Sequence, residues 1–217
     1  MAGNHFSPVF SELPATLAIF PLPGAILLPH GQLPLNIFEP RYLNMVLDAL
    51  GQGRMIGMIQ PDPAAGADEG IHRIGCAGRI TRFNETEDGR LLILLTGVCR
   101  FEVSEELDLL RGYRRVVPDW RRFRADLDEA EPPMAEIEPL MVALTRYCEE
   151  SGLEVEWEKL RAMDPVRLVN FLAINLPFGV DEKQSLVEAV TPVERARLLT
   201  VLAEFGAAGR DNGGGLH

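Results

Sequence analysis

The stretch FPLPGAILLPHGQLPLNIFEPRY, residues 20–42, is largely apolar but is interrupted by prolines at 21, 23, 29, 34 and 40. A proline has no backbone N–H donor and keeps the preceding residue out of the helical region. The stretch therefore cannot form one helix or one long strand. We interpret it as a strand, a turn, a second strand and the start of a helix. Apolar runs that are broken so often are typical of a small, strongly bent sheet that approaches barrel closure.

A helix is predicted directly after the second strand. Pro40 fits the first helical position, because the N–H that proline lacks has no helical partner there. Beyond it, apolar residues recur at the spacing of one helical face, at Leu43, Val46, Leu47 and Leu50. Gly51 and Gly53 then predict the end of the helix.

The rest of the region before residue 125 is also predicted to be β structure. RMIGMIQ (54–60) and YRRVVPDW (113–120) are apolar runs of strand length. The clearest hairpin signal is the polar turn at Asn84–Gly89, which ends in Asp-Gly and is followed by LLILL. After Gly97, VCRFEV alternates as a strand does.

The region after residue 133 is predicted to be helical. ADLDEAEPP (125–133) is acidic, ends in a double proline and predicts a linker. Beyond it, apolar periodicity and capping residues predict four helices, near 134–150, 165–176, 182–189 and 192–206. Capping boxes are predicted at Asp181–Gln184 and Thr191–Glu194.

Together these patterns predict an α+β protein. Its first part is a bent β pseudo-barrel with one inserted helix, and its second part is a C-terminal bundle of about four helices. We predict the pseudo-barrel subdomain at 13–125 and the helical bundle at 132–206. Residues 1–12 and 207–217 have little apolar surface to bury and are predicted to be disordered tails.

The charge balance excludes two classes of partner. The chain has 217 residues, 47% of them hydrophobic, and a net charge of −11. Nucleic acids and anionic membranes repel such a chain, so neither is expected as a partner. No apolar run approaches the roughly 20 residues that cross a bilayer, and the N-terminus does not resemble a signal peptide. Three widely spaced cysteines do not suggest a disulfide framework, so we expect a cytoplasmic protein with reduced thiols.

The usual catalytic motifs are missing from the sequence. It has no GxxxxGK[ST] phosphate loop, no GxSxG and no HExxH. Cys76, Cys99 and Cys148 lie within apolar patterns and are interpreted as core residues. His30 and His72 lack metal-ligand spacing. We therefore expect no catalytic residue, no metal and no cofactor. The alternative is a cryptic small-molecule enzyme or ligand-binding protein, with a site assembled from Cys and His only in the fold.

One stretch is unusually rich in arginine. RGYRRVVPDWRRFR (111–124) interleaves arginines with Tyr113, Trp120 and Phe123, which is one pattern of a nucleic-acid surface. The other interpretation is a strand whose arginines form ion pairs within the molecule, for which the acidic segment 126–158 offers partners. The acidic charge of the whole chain favours the second interpretation.

The corner between the second strand and the first helix is a candidate binding site. Phe38, Arg41 and Tyr42 combine aromatic surface with a cation, and an extended peptide could bind there by pairing with an exposed strand edge. The structural alternative is that Glu39 caps the helix and that Arg41 forms an ion pair. We predict peptide binding at Phe38, Arg41 and Tyr42.

Several ordered motifs resemble those of one known family. The opening stretch looks like the start of the Lon N-terminal domain, also called the Lon substrate-binding domain. IGCAGRI (74–80) and DGRLLILLTGVCRFEV (88–103) are similar to its glycine-marked second half. DPVRLVNFLAINLPFGVDEKQSLVEAVTPVERARLLTVL (164–202) resembles its helical part, including the LPF and EKQ elements. The resemblance covers about residues 13 to 206. PHGQ at 29–32 departs from the family, which more often has Pro-Gly after an aromatic residue.

The resemblance implies a fold and a role. The fold is a small β pseudo-barrel followed by a helical bundle. The implied role is that of a non-catalytic module that binds unfolded or tagged protein and peptide clients and serves as an adaptor in proteolysis, with an ATP-dependent protease as a candidate partner. No part of the sequence resembles the ATPase or peptidase domains of Lon, so the chain is expected to be a stand-alone member and not an enzyme.

Overall fold

The computed structural model describes residues 8–62, 64, 70–127 and 137–211, except for the side chains of 207–211. These residues form six strands and six α-helices, which confirms the predicted α+β class. They group into two compact units. The first unit contains the described residues up to 127 together with 178–188. The second contains residues 137–177 and those from 189 onward.

The strands of the first unit form one mixed sheet. They are β1 (Leu17–Pro21), β2 (Gln32–Ile37), β3 (Met55–Ile59), β4 (Ile74–Glu85), β5 (Leu91–Leu110) and β6 (Tyr113–Asp119). Their order is β2-β5-β4-β3-β1-β6, and β6 pairs with β5 as well. β1 and β3 are parallel, and all the other pairs are antiparallel.

The sheet closes on itself through β5, its longest strand. The first half of β5 pairs with β2 and β4, and the second half pairs with β6. Because β6 also pairs with β1, the pairings form a ring of β5, β4, β3, β1 and β6. β2 lies outside that ring, so the sheet is not a complete barrel. The predicted hairpin is confirmed as β4–β5, with its turn between Glu85 and Leu91.

The inserted helix is also confirmed, as α1 (Pro40–Gly51) with Pro40 in the first turn. Its buried face differs from the prediction. The structure buries Tyr42, Met45, Val46 and Ala49, whereas Leu47 is 52% exposed. Both sets of residues have the same helical spacing, so periodicity alone could not choose between them.

A buried loop connects β1 to β2. Its apolar residues Ile26, Leu27 and Leu28 are at most 3% exposed, although they form no strand. The loop touches β5 at Gly97, where an added Cβ would lie 1.9 Å from the Leu28 carbonyl oxygen. The His30 N–H donates to the Gly97 carbonyl over 3.0 Å. A side chain at position 97 would therefore push this loop off the sheet.

The helix α5 (Val180–Glu188) belongs to the first unit and is held there by polar side chains. Gln60 Nε2 donates to Gln184 Oε1 over 3.2 Å and to the Val180 carbonyl over 2.9 Å. Gln184 Nε2 donates to the Ile74 carbonyl, and Lys183 Nζ donates to the Gly24 carbonyl. Burial lowers the pKa of Lys183. The sequence had grouped this helix with the bundle at 132–206, and its contacts place it on the sheet.

The same helix begins earlier than predicted. Its first turn is closed by the Gly179 N–H, which donates to Glu182 Oε2 over 2.7 Å. In place of the expected box at Asp181–Gln184, a single capping hydrogen bond joins Gly179 to Glu182, and glycine has no side chain to complete a box. The EKQ element of the sequence consists of this capping Glu182 and of the two side chains, Lys183 and Gln184, that bind the sheet.

A buried ion pair joins Arg100 of β5 to Asp126, near residue 127, where the described N-terminal part of the first unit ends. Arg100 is 1% exposed, and its Nε and Nη2 donate to the two carboxylate oxygens of Asp126 over 2.9 and 2.8 Å. Asp126 lies in a 3-10 segment, Arg121–Leu127. Arg100 Nη1 donates to the Val187 carbonyl of α5 over 3.0 Å, and its guanidinium stacks on Phe123. One side chain thus connects β5 with two other segments.

The second unit is helical. It contains α2 (Ile137–Ser151), α3 (Trp157–Arg161), α4 (Pro165–Asn175) and α6 (Pro192–Asp211), and both α2 and α4 pack against α6. The capping box at Thr191–Glu194 is confirmed, because each residue's side chain accepts the other's backbone N–H. Arg195 is buried and donates to Asn170 Oδ1 over 2.6 Å. The sequence did not predict the short α3.

The predicted linker and tails fall only partly within the described residues. Residues 125–127 of the linker are part of the 3-10 segment, and residues 128–133 lie outside the described residues. Phe10–Glu12 forms a 3-10 turn, and α6 continues to Asp211. The other residues of the predicted tails, 1–7 and 212–217, also lie outside the described residues.

Candidate peptide-binding site

β2 provides a strand edge next to the predicted site. Among the described residues it pairs with β5 and with no other strand. Its residues alternate between exposed and partly buried up to Ile37, which is 1% exposed. Pro34 lacks an N–H donor, which is a common feature of edge strands and limits unwanted pairing. The edge therefore offers a discontinuous row of backbone groups to an incoming chain.

The corner between β2 and α1 exposes two of the three predicted site residues. Phe38 is 61% exposed, which is unusual for a phenylalanine. Arg41 is also exposed, and its Nε donates to Glu39 Oε2 over 3.0 Å. The Glu39 side chain makes no capping hydrogen bond to α1. The predicted ion pair of Arg41 is thus present, and the predicted cap by Glu39 is absent.

Tyr42 has a different environment. It is 7% exposed and belongs to the core of the sheet, where its ring packs on Phe20 with 4.2 Å between centroids. The guanidinium of Arg41 lies over the outer face of the Tyr42 ring, 4.6 Å from the centroid. Tyr42 therefore supports Arg41 from beneath, and Arg41 and Phe38 are the side chains that a ligand can reach.

The turn between β5 and β6 borders this corner. A Cβ on Gly112 would lie 3.3 Å from Arg41 Cβ, so the turn approaches the first residues of α1 closely. Arg111 donates to Asn44 and forms an ion pair with Asp48, both on α1. Leu109, at the end of β5 beside this turn, is 63% exposed. The corner thus combines exposed aromatic, aliphatic and cationic groups on a well-held backbone.

A second concave surface lies at the far end of the β4–β5 hairpin, and the sequence did not predict it. It is an open depression of about 670 Å³. Its lining includes Arg54, Arg82, Phe83, Asn84, Leu92 and Leu94. The available signal in the sequence was weak, because exposed and buried residues cannot be told apart where a hairpin extends beyond the core.

The arginine-rich stretch at 111–124 forms its contacts within the molecule. Arg111, Arg114 and Arg121 form ion pairs with Asp48, Glu106 and Asp119, respectively. These three carboxylates belong to α1, β5 and β6, whereas the sequence had pointed to the acidic segment 126–158. Arg122 and Arg124 lie over the rings of Phe123 and Phe10. The arginines of this stretch are therefore already engaged.

The cysteines and histidines do not assemble into a reactive site in the described part of the chain. Cys76, Cys99 and Cys148 are at most 2% exposed. Burial raises the pKa of Cys99 to about 12, with a further contribution from the Asp126 carboxylate, and burial also raises the pKa of Cys148. Both thiols are thus held in the unreactive protonated form. No group of three His, Cys, Asp or Glu suitable for a metal ion occurs among the described residues.

None of the described helices is both long and apolar enough to cross a bilayer.

Comparison with known proteins gives a consistent family. Residues 16–204 match the family model of the "ATP-dependent protease La (LON) substrate-binding domain". A Lon protease of Parabacteroides distasonis is 28% identical over 206 residues, which are 92% of this chain and 25% of that protein. One of Flavobacterium johnsoniae is 26% identical and is matched over 23% of its length. The chain spans about a quarter of the length of the curated relatives it matches.

Solved structures show the same fold. A "Lon N-terminal domain protein from Xanthomonas campestris" is 25% identical with a TM-score of 0.60, covering 86% of this chain and 97% of that one. The N-terminal domain of a Mycobacterium avium complex Lon protease is 15% identical with a TM-score of 0.62, covering 87% and 97%. The sheet and helices described above are therefore shared with proteins of quite different sequence.

Proposed function

Because the chain belongs to the Lon substrate-binding domain family, we propose that it is a non-catalytic module that binds unfolded or tagged protein and peptide clients. The family match over residues 16–204 carries this proposal, since it includes nearly all the secondary structure of both units. The burial of all three cysteines supports a binding role over a catalytic one.

We place client contact at the corner of β2 and α1. An extended peptide pairs with the free edge of β2, so that backbone hydrogen bonds hold chains of diverse sequence. Phe38 supplies apolar contact just beyond the end of that edge. Arg41 supplies N–H donors, and Tyr42 fixes its position through the cation–π contact.

The module is proposed to act in the cytoplasm as an adaptor that delivers clients to an ATP-dependent protease. The relatives named Lon protease contain the matched region as about a quarter of their length. A region of that size is sufficient to bind a client while another part of an assembly degrades it. Recognition of exposed apolar segments also fits the accessible Phe38 and Leu109.

The test measures binding of a fluorescently labelled, permanently unfolded model protein by anisotropy. Replacing both Phe38 and Arg41 by serine is expected to weaken binding about tenfold, a loss of about 1.4 kcal/mol from contacts at the edge of the interface. The melting temperature should stay close to that of the wild type, because both side chains are exposed.

Leu47→Ser is the matched control, since Leu47 is an exposed apolar residue on the same helix. If Leu47→Ser weakens binding as much as the double variant, the corner is not the site. If the wild type does not bind the unfolded protein at all, the proposed function fails. The adaptor role has its own test: crosslinking and mass spectrometry in the native cell should recover a protease or its clients.

A further inference from the structure

We propose that the depression at the end of the β4–β5 hairpin is a second peptide-binding site, selective for an extended segment in which a carboxylate is flanked by apolar side chains. This inference rests on the proposed role of the chain as a peptide-binding module, and it adds a ligand class and a separate location. The depression is built by Arg54, which lies between α1 and β3, and by β4 and β5.

Within the described part of the first unit, the two arginines of the depression are the ones whose side chains lack partners. Arg54 and Arg82 both line it, and neither side chain has an ion pair, hydrogen bond or ring contact among the described residues. Every other arginine in the described part of the first unit has such a partner. In a chain of net charge −11, two unpaired arginines in one concave surface are a local basic site.

The backbone of Arg54 is held firmly. Its N–H donates to the Ala49 carbonyl over 2.8 Å, which closes the end of α1, and its carbonyl accepts the Ile80 N–H over 2.8 Å. Arg54 has a φ of 65°, a left-handed conformation that is uncommon for a residue with a side chain. These two hydrogen bonds keep the base of the guanidinium in place beside β4, so less conformational entropy is lost when it binds an anion.

Apolar side chains lie on the same face of the hairpin as Arg82. Arg82 pairs with Leu94 and Asn84 pairs with Leu92, so these residues share one face, whereas Phe83 projects from the other. Leu92 is 45% exposed, and Leu94 is partly buried. A ligand that places one carboxylate on the arginines can therefore bury apolar side chains against Leu92 and Leu94. Arg54 and Arg82 offer the charge-assisted hydrogen bonds that a carboxylate requires.

The nearby acidic residues limit how much negative charge the ligand can carry. Glu85 and Glu87 belong to the end of the same hairpin, and Asp88 is occupied by Arg90 and Thr86. A polyanion such as a nucleic acid would meet these carboxylates and the acidic chain as a whole. A peptide with one or two carboxylates avoids that repulsion, which is why we assign a peptide to this surface.

The experiment uses fluorescein-labelled peptides with a central Leu-Asp-Phe in a Gly-Ser background and an amidated end. A matched peptide carries Leu-Asn-Phe, and a third carries Ser-Asp-Ser. Anisotropy titrations with the full chain are expected to show about tenfold tighter binding of the Asp peptide than of the Asn peptide, as for a charge-assisted contact. The Ser-Asp-Ser peptide should bind weakly, because the apolar contacts are lost.

Arg54→Gln combined with Arg82→Gln is expected to abolish the preference for Asp over Asn. Leu92→Ser should weaken both apolar peptides by a similar factor, because Leu92 is exposed on the same face of the hairpin as Arg82. Arg121→Gln is the matched control, because this exposed arginine is paired with Asp119 and lies outside the depression. It should leave both affinities unchanged.

Three outcomes would overturn the assignment. One is an unchanged preference in the double arginine variant. Another is equal competition by a single-stranded oligonucleotide, which would make the surface a general anion site. The third is a change in oligomeric state without a change in peptide binding, which would make it an interface between copies of this chain. If the unfolded model protein still binds while the Asp peptide does not, only the second site fails, and the proposed function stands.

Discussion

Arginines lie at or beside both ends of β5, but the two ends differ in whether those arginines have side-chain partners within the molecule. At the β5–β6 end, Arg111 is paired with Asp48 of α1, and Arg114 is paired with Glu106. At the β4–β5 end, Arg82 and the neighbouring Arg54 have no side-chain partner among the described residues. The arginines at one end of the strand are thus engaged in internal contacts, and we call it the closed end; those at the other, open end have no such partner.

This difference shows that a high local content of arginine is a poor guide to binding. The stretch at 111–124 contains six arginines, and the described structure gives each of them an internal partner. The two unpaired arginines are isolated in the sequence and meet only in the fold. Whether an arginine is available to a ligand depends on whether it has an internal partner, and not on how many arginines surround it in the sequence.

The largest expected effect lies between the two ends, at the buried pair of Arg100 and Asp126. Asp126→Asn leaves the Arg100 charge buried without a carboxylate. The free energy of unfolding is expected to fall by about 3–5 kcal/mol, as for other buried pairs that lose one partner. Urea denaturation followed by circular dichroism measures this change.

The control for this prediction is Glu106→Gln, which removes a carboxylate from the more exposed pair with Arg114. It should cost less than about 1 kcal/mol. Equal losses in the two variants would show that burial of the pair does not determine its contribution.

The next effect tests the closed end of β5. Asp48 accepts a hydrogen bond from the Tyr113 hydroxyl over 2.9 Å and forms the ion pair with Arg111. Asp48→Ala leaves a buried hydroxyl without its partner, and a loss of about 1–3 kcal/mol is expected. The melting temperature measures it, with Asp88→Ala in the opposite hairpin as the comparison. If Asp88→Ala were the more damaging change, the closed end would not be the more stable one.

Tyr113 also makes the closed end sensitive to alkaline pH. Its burial and the Asp48 carboxylate raise the pKa of Tyr113 to about 12 from its ordinary value of 10.0. The folded chain therefore holds this proton more tightly than the unfolded chain does, so stability is lost as the pH rises from about 10 to 12. The loss from this residue is at most about 3 kcal/mol.

Tyr113→Phe should flatten the decline in that pH range, as measured by urea denaturation at fixed pH values. The raised pKa of Cys99 acts in the same direction in both chains, so the difference between them isolates Tyr113. Parallel pH profiles for the two chains would contradict the prediction.

The smallest effect is expected at the open end. Arg82→Ala removes an exposed side chain that has no partner, so stability should stay within about 0.5 kcal/mol of the wild type. Thermal unfolding checks this, alongside the peptide titrations. A clear loss of stability would mean that Arg82 has an internal role and that the two ends of β5 are more alike than they look.

Local signals in the sequence predicted the elements of the fold well. The proline at position 40 marked the start of α1, and Asp-Gly at 88–89 marked the turn of the hairpin. The same signals did not establish which face of α1 is buried, because Tyr42 and Leu43 begin two patterns of equal spacing. They also could not show that α5 packs on the sheet, since that depends on hydrogen bonds between Gln60 and Gln184.

The candidate sites were less accessible to prediction. Arg41 and Phe38 were identified from residue type, and the structure shows both of them exposed. Tyr42 was chosen with them, although its ring belongs to the core. The depression was missed because Arg54 and Arg82 are separated by β3 and part of β4, and only strand pairing brings them to one surface. Exposure of single side chains depends on packing that no local pattern contains.

The position of α5 has a consequence for synthesis on the ribosome. A nascent chain acquires β6 at Asp119 long before it acquires α5, which begins at Val180. Until then, Gln60 and the carbonyls of Gly24 and Ile74 lack the partners that α5 supplies. The sheet therefore cannot complete its folding as an early, separate domain in the way that an uninterrupted one can. A product that terminates before Val180 would expose these polar groups, and such a fragment would itself be a target for protein quality control.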